Sequence, residues 1–275
     1  MTSKHTHIAI TMIALGILLA FVGYFSGGKW SFVLNDEGIQ LSNKLVSNSY
    51  DLDDFTNINV FNDYGDVEIV TSDRYALETK VVEDGDVTYS IKDSTLTIET
   101  KSKKKDGLQF GFFNYSTPSI KIYVPADAKL KTVVLDSNFG DTTIRGLNYQ
   151  QLNLIDDFGD IIVKDTTGDK TEIRQSFGDL TLQQFSSNGL VVDSKNGDIR
   201  IDGTLNGESA ITSNFGDATL HLQNKKDELG FELQTSFGDL TVDKKEQNSK
   251  VSQLYKGDNQ LKVTLSNGDL QLTLD

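Results

Sequence analysis

The feature that most constrains the fold is a short corner motif that occurs eight times along the chain. In each copy a polar residue, usually followed by an aromatic one, precedes Gly-Asp and a short alternating apolar run. From Gly140 to Gly216 the motif glycine recurs four times in succession with a constant step of 19 in sequence. A fixed period in this range indicates stacked structural units. The Gly-Asp pairs are Gly65 and Asp66, Gly140 and Asp141, Gly159 and Asp160, Gly178 and Asp179, Gly197 and Asp198, Gly216 and Asp217, Gly238 and Asp239, and Gly268 and Asp269.

Apolar and polar residues alternate on both sides of each corner. After Gly178, for example, Leu180 and Leu182 flank Thr181, which is the pattern of a strand with one buried face. A second apolar pair, such as Leu152 and Leu154, enters the corner from the other side. Each repeat therefore holds two short strands and two turns, and equivalent strands bury their apolar faces by stacking. The prediction is an all-β fold: a β-solenoid in which each coil corresponds to one period of about 19.

The corner residues have predictable mechanical roles. Glycine supplies the positive φ of a sharp turn, and aspartate accepts hydrogen bonds from nearby backbone N–H groups. Strand alternation, extended to the aromatic position, predicts that its ring points inward and fills the edge of the core. Asn196 and Asn267 replace the ring in two repeats and give Asn-Gly turn pairs. The rings are Tyr64, Phe139, Phe158, Phe177, Phe215 and Phe237.

The repeat region, residues 51–275, is predicted to contain one insertion. The step from Gly65 to Gly140 is much longer than the period and equals one period plus an insertion of 56. Residues 74–129 carry strand patterns of their own and are predicted to form an antiparallel β-meander that caps the open edge. The last two steps, from Gly216 to Gly238 and from Gly238 to Gly268, also exceed the period, which is expected of irregular repeats at the end of a stack.

The N-terminal region has a different composition. Ile8–Phe25 is an uncharged apolar run that is long enough for a transmembrane helix. We expect an uncleaved signal-anchor helix over residues 8–25, after a short tail (1–7) and before a linker (26–50); a cleaved signal peptide is the alternative. This arrangement predicts a cell-membrane protein with one membrane span and an extracellular repeat domain.

Composition excludes several function classes. The chain has no cysteine, so disulfides, thiolate metal ligands and thiol nucleophiles are excluded. The net charge of −14 argues against nucleic acid as a partner. The arginines are scattered, and His221 falls at an outward position with no obvious acid partner. We therefore predict a protein that is not an enzyme and binds no cofactor, with a polysaccharide-acting β-helix enzyme as the less favoured alternative.

Two candidate sites emerge. The corner aspartates should stack in a row, which indicates either structural turns or a Ca²⁺-binding ladder of a calcium-dependent adhesin. Calcium-binding β-rolls use several glycines and aspartates per turn, so the structural interpretation is favoured. The second site is a candidate membrane or polymer contact, although its rings could instead pack on the repeats; its residues are Lys101, Lys103, Lys104, Lys105, Phe110, Phe112 and Phe113.

These features together resemble a known family. The opening repeat Phe55–Asp73, the segment Val124–Ala126 and the N-terminal apolar run are similar to those of the bacterial β-strand-repeat proteins grouped as putative adhesins. The resemblance covers about residues 50–275, and the membrane-anchored LiaG-like members are the nearest in pattern. It implies an accessory protein of the cell-envelope stress response, with an envelope protein or a cell-wall polymer as partner. It implies no catalytic residue, and the oligomeric state stays open.

Overall fold

The computed structural model describes residues 11–13, 15–19, 21–23, 31–35, 38–41, 45–81, 87–101, 108–111 and 117–275. Residues 11–13, 15–19 and 21–23 are helical. Within the described ranges no helix has the length and apolar character needed to cross a membrane. The chain divides into two compact units, one of Met1–Lys44 with Lys104–Ser116 and one of Leu45–Lys103 with Thr117–Asp275.

The remaining regular structure is β-strand, so the prediction of an all-β repeat domain is confirmed. The strands are β1 (Ser31–Asn35), β2 (Gly38–Leu41), β3 (Val46–Asp51), β4 (Asn57–Asn62), β5 (Asp66–Ser72), β6 (Ala76–Val81), β7 (Val87–Lys92), β8 (Thr95–Thr100), β9 (Leu108–Gly111), β10 (Ser119–Pro125), β11 (Lys129–Phe139), β12 (Thr142–Arg145), β13 (Asn148–Phe158), β14 (Ile161–Phe177), β15 (Leu180–Ser187), β16 (Leu190–Asn196), β17 (Ile199–Leu205), β18 (Glu208–Phe215), β19 (Ala218–Leu222), β20 (Gly230–Phe237), β21 (Leu240–Val242), β22 (Lys245–Gln247), β23 (Lys250–Gln253), β24 (Gln260–Asn267) and β25 (Leu270–Leu274).

The smaller unit contains a three-stranded antiparallel sheet in the order β2-β1-β9. In this sheet Phe32 lies opposite Phe110 on the neighbouring strand. Phe110 of the candidate Lys/Phe segment thus belongs to the same unit as Phe32.

In the larger unit, strands of successive repeats pair in parallel with their equivalents. Ile161 pairs with Leu180, and Leu180 with Ile199, so the register advances by one full repeat at each step. The strands entering the corners run in the order β8-β4-β11-β13-β14-β16-β18-β24-β20. Those leaving them run β10-β5-β12-β14-β15-β17-β19-β25-β21.

The core lies between these two sets of strands. Leu152, Leu154, Leu180 and Leu182 are all buried, as the alternation predicts, and Phe185 adds the bulk of a ring. Each such side chain contributes roughly 1.5–3 kcal/mol when it is fully removed from water. The apolar face of every repeat is therefore covered by the repeats on either side of it.

In two repeats the strand that leaves the corner bends once more, which the sequence pattern did not predict. Asp165 and Gln184 adopt positive φ values of 55° and 48°. The ladder between β15 and β17 shifts register between Gln183 and Phe185. Neither bend carries the glycine or proline that marks most turns. An L-residue in this conformation costs about 1–2 kcal/mol, which the packing on either side offsets.

The last repeats do not stack in chain order, contrary to expectation. β24 pairs with both β18 and β20, and β25 pairs with both β19 and β21. The C-terminal repeat therefore lies between the two repeats that precede it in sequence. The residues between β21 and β24 form β22 and β23, which run antiparallel to β21 and β20 and return the chain to this internal position.

The insertion at residues 74–129 is only partly the predicted antiparallel meander. β6 runs antiparallel to β10, and β7 runs antiparallel to β8. However, β8 pairs in parallel with β4, and β10 with β5, so these two strands extend the stack by a further repeat. Antiparallel strands border the parallel array at both ends, which limits edge-to-edge pairing with other chains.

Candidate functional site

The Gly-Asp corners of all eight repeats lie in line, and four parallel rows of residues run along them. At the glycine row the backbones approach closely. Gly197 has a φ of 135°, and a Cβ built on it would lie 1.8 Å from the Gly178 carbonyl oxygen. The N–H of Gly178 donates to the Asn196 carbonyl at 3.1 Å, which links one corner to the next. The positive φ and the close approach together require glycine here.

The aspartate row is a chain of hydrogen bonds. The Asp179 N–H donates to Asp160 Oδ1 at 2.9 Å, and the Asp160 N–H donates to Asp141 Oδ1 at 3.0 Å. All seven links are between 2.8 and 3.0 Å long. Their spatial order is Asp66, Asp141, Asp160, Asp179, Asp198, Asp217, Asp269 and Asp239. Charge-assisted bonds of this kind offset part of the repulsion between neighbouring carboxylates, which water also screens.

Asp66, the first member of the row, shows that this arrangement makes the ionisation of a corner carboxylate less favourable. Burial raises the pKa of Asp66, and the charge of Asp141 acts in the same direction. The hydrogen bond from the Asp141 N–H opposes both effects. Across the described ranges no three acidic or histidine side chains are grouped so that they could hold a metal ion.

Replacing Asp160 with alanine is expected to lower the free energy of unfolding by about 1 kcal/mol, because the Asp179 N–H loses its acceptor. Asp160→Asn keeps an acceptor and removes one like charge, so its stability should stay close to that of the wild type. Asp239→Ala is the matched control, since among the described residues no hydrogen bond is donated to that carboxylate. Urea denaturation measures all three variants; equal losses for Asp160→Ala and Asp239→Ala would contradict the role of these bonds.

The aromatic row contradicts the inward orientation expected from the sequence. Tyr64, Phe139, Phe158, Phe177, Phe215 and Phe237 are exposed, with relative exposures between 44% and 74%. Alternation is interrupted at this position because the turn has already begun. The last side chain that points inward lies two residues before the ring. Before Phe177 this residue is Gln175, which is buried.

Three of the exposed rings form a regular column. Phe139 and Phe158 stack with centroids 5.0 Å apart and an interplanar angle of 6°. Phe158 and Phe177 stack at 5.1 Å and 0°. Stacking covers the faces of the rings and leaves their edges as a continuous apolar stripe. Asn196 follows Phe177 in the row, and its Nδ2 donates to the Ser176 carbonyl at 3.2 Å.

A polar row runs beside the rings. Asn138 Nδ2 donates to Asp63 Oδ1 at 3.0 Å, and Ser176 Oγ donates to Asp157 Oδ1 at 3.1 Å. Lys195 Nζ donates to Ser176 Oγ at 3.2 Å. The outer surface of the corners thus presents apolar ring edges next to hydroxyl, amide and carboxylate groups.

A fourth row lies buried beneath the corner and was missed from the sequence. Its members occupy the inward position two residues before the ring, where apolar side chains would be expected. In the sequence this row is visible as polar residues at an inward position of the strand pattern. The row contains Asn62, Ser137, Asp156, Gln175, Ser194 and Ser213, none more than 2% exposed. Burial raises the pKa of Asp156 to about 7.

The Lys/Phe segment is described only in part. Lys101 forms an exposed ion pair with Glu99 at 3.5 Å. Phe110 lies in β9. The predictions for Lys103, Lys104, Lys105, Phe112 and Phe113 lie outside the described residues.

His221 does have acidic neighbours, contrary to expectation. Its Nδ1 lies 3.7 Å from Asp202 Oδ2, and its Nε2 lies 3.9 Å from Asp275 Oδ1. Asp202 is the residue one strand away in the β17–β19 ladder, a neighbour that chain order alone does not show. Both separations exceed hydrogen-bond length and the side chain is 53% exposed, so these are loose contacts at the surface.

Solved structures that align with this chain come from Bacteroides, Clostridium and Parabacteroides species. A "putative adhesin" from Bacteroides fragilis aligns at 16% identity and a TM-score of 0.51, over 86% of this chain and all of that one. A "putative cell adhesion protein" from Clostridium sporogenes aligns at 12% identity and a TM-score of 0.45, over 84% and 100%. A "putative lipid binding protein" from Parabacteroides distasonis aligns at 16% identity and 0.41, over 83% and 97%.

The family comparison covers most of the repeat domain. No curated protein sequence matches the chain significantly. The family model described as Toastrack DUF4097 matches residues 55–273, from the first repeat almost to the last residue. This confirms the resemblance to the β-strand-repeat adhesin family at the level of the domain. The chain therefore belongs to the Toastrack DUF4097 family.

Proposed function

We propose that this chain is a non-catalytic binding protein of the cell envelope, and that the aromatic row of its corners contacts an extended partner. One observation carries the proposal: Phe139, Phe158 and Phe177 form a stacked, exposed apolar stripe of even spacing. Exposed contiguous apolar surface with a polar border is typical of interaction sites. The stripe runs across three consecutive corners, so a partner that is itself extended makes the most contacts.

The proposed architecture is a β-solenoid, with the parallel, repeat-to-repeat register as its support. In it the corner carboxylates fasten the backbone of adjacent coils and are not a calcium site. Millimolar Ca²⁺ should therefore leave the melting temperature unchanged, whereas a clear rise would favour the calcium-dependent adhesin.

The proposed location is the outer face of the cell membrane, with residues 8–25 as a single-pass anchor. The helical residues that the structure describes in this run expose their apolar side chains; Met12, Ile13 and Leu19 are 69%, 63% and 62% exposed. An apolar helix without protein cover is well suited to a lipid environment. The full chain should stay in the membrane pellet after alkaline carbonate extraction, and its release would contradict the anchor.

The Lys/Phe segment is proposed as a second, membrane-proximal contact. Phe110 lies in β9, which pairs with β1, and β1 follows the proposed anchor closely in sequence. Lysines beside aromatic rings at this position suit an anionic lipid surface. Changing Lys103, Lys104 and Lys105 to Ser should weaken the preference of the full chain for anionic over neutral vesicles; an unchanged preference would contradict this contact.

The partner of the aromatic row is proposed to be a cell-wall polymer or an extended envelope protein, in the setting of envelope stress. Ring edges contact C–H groups, while the neighbouring polar row offers hydrogen-bond donors and acceptors. A photo-crosslinking residue at position 158 of the full chain, in living cells, should capture this partner. The same residue at position 61 is the control, because Phe61 is exposed on the outward face of β4 and not at a corner. Equal capture at both positions would contradict the proposal.

A further inference from the structure

The buried polar row beneath the corners contains one ionisable member, Asp156. The register places it directly between Ser137 on β11 and Gln175 on β14. Thr142, at the start of β12, donates its hydroxyl to Asp156 Oδ2 at 3.2 Å. The other carboxyl oxygen, Oδ1, is buried and has no hydrogen-bond partner.

Gln175, the partner of Asp156 across the ladder, also has one unpaired side-chain oxygen. Its Nε2 donates to the Gly159 carbonyl at 2.7 Å and makes a longer contact with the Asp179 carbonyl at 3.4 Å. These two contacts fix the amide so that its Oε1 faces away from the corner. Oε1 is also buried and has no donor. Two residues paired across one ladder step therefore each bury an acceptor that lacks a hydrogen.

A proton on Asp156 Oδ1 would turn this buried acceptor into a donor, and Gln175, its partner across the ladder, offers an unpaired acceptor at Oε1. An ionised Asp156 leaves two buried acceptors unpaired, each at a cost of about 1–3 kcal/mol. Neutral carboxylic acids that donate hydrogen bonds are a known solution in apolar surroundings.

The electrostatic surroundings favour the same state. Ser137, Thr142 and Gln175, from β11, β12 and β14, face Asp156 with neutral groups. The charged groups that act on it are carboxylates. Burial is the main cause that raises the pKa of Asp156 to about 7, and the charges of Asp141, Asp157 and Asp160 add to it, against the Thr142 hydrogen bond.

We propose that Asp156 is a proton-binding site that holds Gln175 against the corner, and that its ionisation loosens the corner carrying Phe158 and Phe177. The link to the corner is direct, because Gln175 bonds the carbonyls of Gly159 and Asp179. The proton site itself is independent of any partner. Only the effect of this loosening on a partner bound at Phe158 and Phe177 rests on the proposed function.

The direction of the pH effect follows from linkage. The folded-state pKa of Asp156 lies above its ordinary value of 3.8, so the folded chain binds the proton more tightly than the unfolded chain. The stabilisation is complete at pH values below the pKa of the unfolded group. It is lost as the pH rises towards and through about 7.

The test compares the full wild-type chain with Asp156→Asn, whose amide can donate to Gln175 Oε1 at any pH. Between about pH 5 and pH 9 the folding equilibrium constant of the wild type should fall by about a hundred-fold or more relative to that of the variant. Asp193→Asn, which removes an exposed carboxylate on β16, is the control and should follow the wild type. Wild-type and Asp156→Asn profiles of the same slope would overturn the proposal.

Two spectroscopic readings separate this role from simple packing. Carboxyl ¹³C NMR should show one resonance that titrates near neutral pH in the wild type and is missing in Asp156→Asn. Amide exchange of Gly159, corrected for the intrinsic rate, should accelerate above that pH in the wild type and not in the variant. If no carboxyl titrates near neutral pH, the site does not exist; if one does but Gly159 exchange is unaffected, the coupling to the corner is wrong.

Discussion

Replacing Gly197 with alanine is expected to lower the free energy of unfolding by about 3–5 kcal/mol. Two costs add. The φ of 135° is unfavourable for any residue with a Cβ, and that Cβ would lie 1.8 Å from the Gly178 carbonyl oxygen. Since this oxygen belongs to a backbone fixed in the ladder, it cannot move away without breaking corner hydrogen bonds. Urea denaturation of the purified protein measures the loss.

Gly189 provides a matched control from the preceding repeat. A Cβ there would meet its nearest atom, the Glu208 carbonyl oxygen, at 3.5 Å, which is ordinary contact. Gly189→Ala should change stability by less than about 1 kcal/mol. Similar losses in the two variants would show that the close approach of the corners does not determine stability.

Shortening Leu272 to alanine is expected to cost about 2–5 kcal/mol, although the residue lies very close to the C-terminus. Leu272 is fully buried. It pairs with Leu220 on β19 and with Val242 on β21, so repeats cover it on both sides. A terminal strand at the end of a stack would lack one of these neighbours. Urea denaturation again measures the loss.

The control for Leu272 is its own partner, Val242. That side chain is only partly buried because β21 has the short antiparallel strand β22 on its outer side. Val242→Ala should cost less than about 1.5 kcal/mol. If the repeats stacked in chain order, Leu272 would be the terminal position and the ranking of the two losses would reverse.

Sequence reasoning succeeded where one local rule determines the structure. Leu180 and Leu182 alternate with Thr181, and the structure buries the two leucines. The glycine period likewise predicted the parallel register in which Leu180 meets Ile199. In both cases the pattern recurs in several successive repeats, so a single exception does not hide it.

It failed where a residue's position depends on non-local geometry. The inward prediction for Phe177 extended strand alternation one step into a turn that had already begun. Whether β24 lies inside the stack or at its end depends on which strands the returning chain pairs with. The Gly-Asp motif is the same in both cases, so it does not distinguish the two positions. Asp156 was overlooked because its significance depends on Gln175, which becomes a neighbour only through the register of the stack.

The outward orientation of the rings determines what they can do. An inward ring contributes to packing, whereas an exposed, stacked ring is available to a partner. Within each corner the backbone and the carboxylate hold adjacent repeats together, and the ring beside them faces solvent. The folding role and the proposed binding role are therefore carried by different residues of one motif, so substitutions can separate them.

The most direct test is a binding measurement on the full chain with Phe139, Phe158 and Phe177 all changed to serine. Loss of ring stacking should cost roughly 1–3 kcal/mol of stability, so the protein stays folded. Retention of the detergent-solubilised chain by isolated cell walls stripped of membrane should fall by about ten-fold or more, while Phe61→Ser should be retained as the wild type is. Undiminished binding by the folded triple variant would contradict the proposal that the aromatic row is the binding surface.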